Sequence, residues 1–123
     1  MSGMILIKTP SAEMNALLNE TDTAKALFEN LPFEGTGRRW GDEIYFTIDL
    51  DLPPENSRET VAKGDLGYWP EGSGFCIFFG PTPVSGEDEI RTASPVNIFG
   101  KVEGDSENFR SFKNGQKVII EKA

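Results

Sequence analysis

Ile44-Tyr45-Phe46-Thr47-Ile48-Asp49-Leu50-Asp51 alternates without a break. In an extended chain Ile44, Phe46, Ile48 and Leu50 fall on one face, and Tyr45, Thr47, Asp49 and Asp51 on the other. This is the strongest strand signal in the sequence, with one face for a core and one toward water. Pro53-Pro54 ends it, because proline supplies no ladder donor.

On the C-terminal side, Leu66-Gly67-Tyr68-Trp69 is read as a short strand before Pro70. Gly74-Phe75-Cys76-Ile77-Phe78-Phe79 is apolar throughout, which predicts a strand covered on both faces. Gly80-Pro81-Thr82-Pro83 stops it, and residues 84–94 read as an exposed loop. Val96 to Val102 gives another strand. Ser106 to Phe112 suggests a short helix with Phe109 and Phe112 on one side. Asn114-Gly115 then turns the chain into Lys117-Val118-Ile119-Ile120.

On the N-terminal side, Met4 to Lys8 and Glu13 to Leu18 suggest an opening hairpin. Met14, Ala16 and Leu18 alternate with Glu13, Asn15 and Leu17, although helix competes over Ala12 to Leu18 by propensity. Ala24, Leu27, Phe28 and Leu31 lie at helical spacing and form one apolar stripe. Thr21 or Asp22 suits the helix start, and Pro32 discourages helix at Leu31 and beyond. Seven or eight short strands with one good helix and one poorer one predict a mainly β domain, either a closed barrel or a sandwich.

The 123 residues make one ordinary domain, residues 1–123, with no internal repeat and no dividing linker. A net charge of −8 repels phosphate backbones and anionic membranes, so neither nucleic acid nor membrane is expected as a partner. Cys76 is the single cysteine, which rules out an intramolecular disulfide and suits a reducing compartment. No apolar stretch approaches the roughly 18 residues of a membrane span. Met1-Ser2-Gly3-Met4 does not open a signal peptide, so a cytoplasmic protein is expected.

Four segments, in order, carry a family resemblance. They are Arg39-Trp40-Gly41-Asp42-Glu43-Ile44-Tyr45-Phe46, Gly64-Asp65-Leu66-Gly67-Tyr68-Trp69-Pro70, Cys76-Ile77-Phe78-Phe79-Gly80-Pro81-Thr82-Pro83, and Ala93-Ser94-Pro95-Val96-Asn97-Ile98-Phe99-Gly100-Lys101-Val102. Together they resemble the small prokaryotic cyclophilin-like proteins, a family of unknown function. The resemblance implies a closed cyclophilin-like β-barrel capped by one or two short helices. Phe99-Gly100-Lys101-Val102 followed by Gly104 also looks like a segment of the cyclophilin prolyl isomerases. Registering the segments puts Cys76 at the place of an active-site phenylalanine, Arg91 at that of a tryptophan and Val96 at that of a histidine. Arg38 and Arg39 are the candidates for the catalytic arginine. The scaffold is kept while most prolyl-binding groups are replaced.

The chain contains no histidine, which excludes Ser-His-Asp and Cys-His catalysis and histidine metal ligands. It has no phosphate-binding glycine loop and no zinc or calcium motif, so no cofactor and no metal are expected. Asp42 and Glu43 are adjacent and point to opposite faces of a strand, so they cannot serve as a paired acid and base. An arginine beside an indole can stack and can hold a carbonyl or carboxylate. Arg38, Arg39, Trp40, Tyr68, Trp69 and Arg91 are accordingly the candidate ligand-binding residues, set against simple pairing and packing. Asn97, polar within an apolar strand, either fixes a loop or meets a ligand. The function expected is a non-catalytic domain binding a peptide or small molecule. The alternatives are a prolyl isomerase and an interaction module without a pocket.

Overall fold

The computed structural model describes residues 3–123. The first two residues, part of the stretch weighed as a leader, lie outside them. The strands are β1 (Met4–Lys8), β2 (Glu13–Leu18), β3 (Phe33–Thr36), β4 (Arg38–Trp40), β5 (Glu43–Thr47), β6 (Arg58–Val61), β7 (Asp65–Trp69), β8 (Gly74–Phe78), β9 (Ile90–Val102) and β10 (Lys117–Lys122), with one α-helix, α1 (Asp22–Glu29). Two 3-10 turns, Pro70–Gly72 and Ser106–Ser111, complete the elements. The expected helix over Ser106 to Phe112 is therefore the tighter 3-10 form, with Phe109 buried beneath it.

The opening hairpin forms as a strand pair, with Ile5 opposite Ala16 and Ile7 opposite Met14. Tertiary burial decides strand over helix here. Met14, Ala16 and Leu18 enter the core, while Leu17 is 46% exposed. In α1, Ala24 and Leu27 are buried and Phe28 packs at the margin, as does Leu31 just beyond the helix end. Thr21 Oγ1 accepts the Ala24 N–H at 3.1 Å, the expected N-cap. The Glu55 carboxylate adds a second cap that the sequence did not announce, accepting from the Asp22 and Thr23 N–H groups at 3.1 and 2.9 Å.

Neighbouring strands run in the order β3-β10-β1-β2-β9-β7-β8-β5-β4, with β6 attached to β9. This corrects the expected closed barrel: the sheet is open between β3 and β4. The two edges are successive stretches of one chain with only Gly37 between them. They follow one another end to end and do not lie side by side, so no ladder joins them. Gly37 donates to Gln116 O at 2.8 Å and accepts from Gly115 N at 2.9 Å, at the point where the chain leaves β10 for β5. No helix among the described residues is long and apolar enough to cross a membrane.

Two further expectations shift. Regular pairing in β5 stops at Thr47 and does not run to Leu50; the Ile48 N–H instead donates to Ser73 O at 2.9 Å. Residues 90–94, expected in a loop, begin the 13-residue β9, because polar β6 supplies a partner for them.

The inner face of the curled sheet holds the main core. Ile44 and Phe46 meet Phe75, Ile77, Phe79 and Phe99 there, with Phe75 edge-on to Phe99 at 5.1 Å between ring centroids. A second, smaller apolar cluster forms on the opposite face, around Cys76, Phe78 and Val96. β8 is buried at every residue, as its unbroken apolar run predicts. Its outward side chains therefore need a cover, and that cover shapes the site.

Candidate functional site

Register assembles the outer face. Antiparallel pairing sets Arg38 opposite Tyr45, Trp40 opposite Glu43, Tyr45 opposite Cys76 and Glu43 opposite Phe78. Directly opposed residues share a face, so Trp40, Glu43, Tyr45, Cys76 and Phe78 all project away from the main core. Gly67, opposite Cys76, lets β9 come close: a Cβ there would sit 2.8 Å from Val96 Cγ2. Trp69 at the end of β7 lies over the turn that follows it, where a Cβ on Gly72 would collide with its indole ring.

These side chains enclose a cavity of about 300 Å³, lined by Trp40, Glu43, Tyr45, Trp69, Cys76 and Phe78 with Thr92, Ala93, Ser94 and Val96 of β9. Its walls are aromatic and apolar, and Glu43 is its one carboxylate. Glu43 is only 7% exposed. Burial raises its pKa from 4.5 to about 7, opposed in part by the Cys76 thiol, which donates to it. Among the described residues no guanidinium or ammonium pairs with this carboxyl. Burial, with the Glu43 charge beside it, pushes the Cys76 thiol well above its ordinary value, so the thiol is inert and not a nucleophile. The thiol sulfur also lies 4.0 Å from Gly74 O. Trp69 Nε1 is enclosed without an acceptor among the described residues.

The six residues singled out from sequence fall into different places. Trp40 and Trp69 line the cavity. Arg38 is exposed on the edge strand β4. Arg39, in β4 opposite Ile44, points to the other side of the hairpin from Trp40: it donates to Gly41 O at 2.9 Å, to the Arg110 and Phe112 carbonyls and to Asp42 Oδ1 at 3.1 Å, and covers the Phe79 ring. Tyr68 is fully buried in the core, where its hydroxyl donates to Leu50 O at 2.6 Å and accepts from Leu52 N at 3.0 Å. Arg91 pairs with Glu89 at 2.9 Å and with Glu59 at 3.4 Å. Cys76 and Val96, which the resemblance aligned with active-site positions, both reach the cavity. Glu43, Tyr45 and Phe78 were not singled out. The available signal was periodicity: a period of two puts Glu43 and Tyr45 opposite Ile44 and Phe46, facing a strand that is apolar on both sides.

Asn97 is settled by its partners. Nδ2 donates to Thr23 Oγ1 at 3.1 Å and Pro53 O at 3.0 Å. Oδ1 accepts from Glu55 N at 2.9 Å and Ser57 Oγ at 3.0 Å. Its amide fixes the segment after Pro53 and touches no part of the cavity. No group of histidine, cysteine, aspartate or glutamate among the described residues is arranged to hold a metal ion.

Comparison with known proteins agrees with this architecture. The family model described as Cyclophilin-like matches residues 3–121. The solution structure of the hypothetical protein AF2241 from Archaeoglobus fulgidus is 39% identical, with a TM-score of 0.84 over 99% of this chain and 95% of that one. The structure of McbB in complex with tryptophan shares the fold at 13% identity, with a TM-score of 0.70 over 96% of this chain and 44% of that one. No curated protein matches. With the family model spanning all but the chain ends and an archaeal relative at 39% identity, the chain belongs to the cyclophilin-like family.

Proposed function

We propose that this domain binds a small, flat, largely apolar molecule, or a peptide side chain of that shape, in the cavity on the outer face of the sheet. The observation that carries this reading is the convergence of Trp40, Tyr45, Trp69 and Phe78 on one half-open cavity of about 300 Å³. That volume is at the lower end of the range for small-molecule sites. Aromatics spread in a flat patch would favour a protein-interaction module; aromatics gathered around a recess favour a ligand.

Prolyl isomerisation is the second reading, because Cys76 and Val96 bring the resemblance's active-site positions to this same cavity. That chemistry wants a cation near the proline nitrogen. No arginine or lysine lines the cavity, and the Arg39 guanidinium is already held by three carbonyls and a carboxylate. Binding without catalysis therefore stands ahead.

Both tryptophans of the chain line the cavity, so intrinsic emission reports on it alone. The test is a titration with mono- and bicyclic aromatic compounds and with Xaa-Pro peptides, followed by tryptophan emission and by amide shifts, beside a proline-peptide isomerisation assay. Saturable shifts confined to β4, β5, β8 and the start of β9, with a flat isomerisation rate, support the reading. Shifts elsewhere, or none with any compound, overturn it. A rate proportional to protein concentration moves the assignment to the isomerase.

A further inference from the structure

Resting on that reading, we propose that the ligand is a cationic amine on a flat apolar frame, and that Glu43 is the residue that recognises its charge. Among the described residues the cavity offers one carboxylate and no basic side chain. Glu43 is only 7% exposed as a residue, and the described partner of its carboxyl is a neutral thiol. An ionised carboxylate so placed lacks the opposite charge that ordinarily accompanies burial. An ammonium group entering the cavity supplies it. The walls suit the same guest, since Trp40, Tyr45 and Trp69 line the cavity and are the aromatic types that attract a cation. The protein's net charge of −8 draws cations toward it and repels anions.

The charged and titratable groups around Glu43 are few. Tyr45 on its own strand and Cys76 on β8 share the cavity. On β4, Arg38 stands opposite Tyr45 and is exposed; on β6, Arg58 stands opposite Val96 and is exposed. Neither lines the cavity, and water and salt screen them. On β9, Arg91 is engaged with Glu89 and Glu59, and the lining residues carry no charge. On β7, Asp65 pairs with Lys101. A carboxylate ligand would need Arg38 or Arg58 to reach inward, whereas an amine needs no rearrangement.

Because Glu43 titrates near neutrality, amine binding depends on pH. The carboxyl is protonated at pH 5 and ionised at pH 8, while a primary alkylamine is protonated at both. Affinity for the amine therefore rises between these values, and affinity for a neutral compound does not.

Three probes on one frame make the test: 2-naphthylmethylamine, 2-naphthylmethanol and 2-naphthoate, titrated by calorimetry and amide shifts against the wild type and Glu43→Gln. At pH 8 the amine is expected to bind at least tenfold more tightly than either other compound. That preference is expected to disappear in Glu43→Gln, which keeps the side-chain volume, and to shrink at pH 5 in the wild type. Equal or tighter binding of the alcohol or the naphthoate at the cavity overturns the proposal and leaves the cavity as a binding site. An amine preference that survives in Glu43→Gln overturns it as well. If none of the three perturbs the cavity amides, the cavity reading falls together with it.

Discussion

Trp40 and Glu43 face each other across a two-residue turn, Gly41-Asp42, and both walls of the cavity depend on how that turn is held. Gly41 has φ +61°, a conformation that fits the first central position of a hairpin turn only with glycine. The tip is pressed on the loop beyond β8. The Asp42 N–H donates to Pro81 O at 2.9 Å, and Phe79 N–H donates to Asp42 O at 2.9 Å. A Cβ on Gly41 would lie 2.9 Å from Thr82 Cα and 3.0 Å from Pro81 O, both backbone atoms that cannot swing aside. Gly41→Ala is expected to cost about 1–3 kcal/mol through strain and crowding. It should also move Trp40 relative to Glu43. Urea denaturation measures the first effect and a changed tryptophan emission maximum the second; wild-type values for both would refute the account of the turn.

Glu43 makes stability depend on pH in an unusual direction for a carboxylate. Its pKa rises from 4.5 to about 7 on folding, so between these values the folded state binds more protons than the unfolded chain. Stability is then greatest below about pH 4.5 as far as this group is concerned, and falls as pH rises toward and through 7. The full loss is about 3 kcal/mol, reached near pH 8. Glu43→Gln removes the titration. The variant should match the wild type near pH 4 and exceed it at pH 8, seen as a melting-temperature difference that opens with pH. A constant difference across the range would mean that folding leaves the Glu43 pKa where it is in the unfolded chain.

Arg39 is bound up in structure. Its guanidinium ties the hairpin to the Arg110 and Phe112 carbonyls and to Asp42, while lying 5.1 Å above the Phe79 ring centroid. Asp42 keeps Arg110 as a second partner at 3.0 Å. Arg39→Ala is therefore expected to lower stability by about 1–3 kcal/mol, because three carbonyls lose their guanidinium donor. Affinity for cavity ligands should stay within about threefold of wild type once the protein is folded. A large loss of affinity in a variant that melts normally would return Arg39 to the binding site.

How much of this was legible in the sequence follows from where the signals are local. The alternation in Glu13 to Leu18 and the unbroken run from Phe75 to Phe79 specify which faces are buried, and those strands form as read. Phe33-Glu34-Gly35-Thr36 and Arg58-Glu59-Thr60-Val61 carry no such pattern, because β3 is an edge strand and β6 pairs only with β9. Their partners in space make them strands. The open seam is equally non-local: it arises because β3 and β4 are joined through Gly37, and composition does not encode that. At the site, the two tryptophans attracted notice as residues, whereas Glu43 became interesting only with its register against β8 and its missing counter-ion. Arginines and tyrosines drew attention by type, and their partners, such as the Leu50 carbonyl for Tyr68, come from segments far along the chain.

Asn97 provides the sharpest test of how the segment after Pro53 is held. All four of its amide bonds go to groups outside β9: the Thr23 hydroxyl at the start of α1, Pro53 O, Glu55 N and Ser57 Oγ. Through Glu55 the same segment caps α1, so one buried amide, 1% exposed, links a strand, a loop and a helix. Asn97→Leu fits the volume but leaves a carbonyl and an N–H without partners in a closed space. A loss of about 2–6 kcal/mol is expected, in proportion to two unmade bonds at about 1–3 kcal/mol each. The Glu55 carboxylate, held below its ordinary pKa by the Thr23 hydroxyl and backbone, should drift back toward that value as the cap loosens. Amide exchange should quicken at residues 22–24 and 53–57 while the cavity strands β5 and β8 stay protected. Uniform acceleration over the whole sheet would show instead that Asn97 supports the core as a unit.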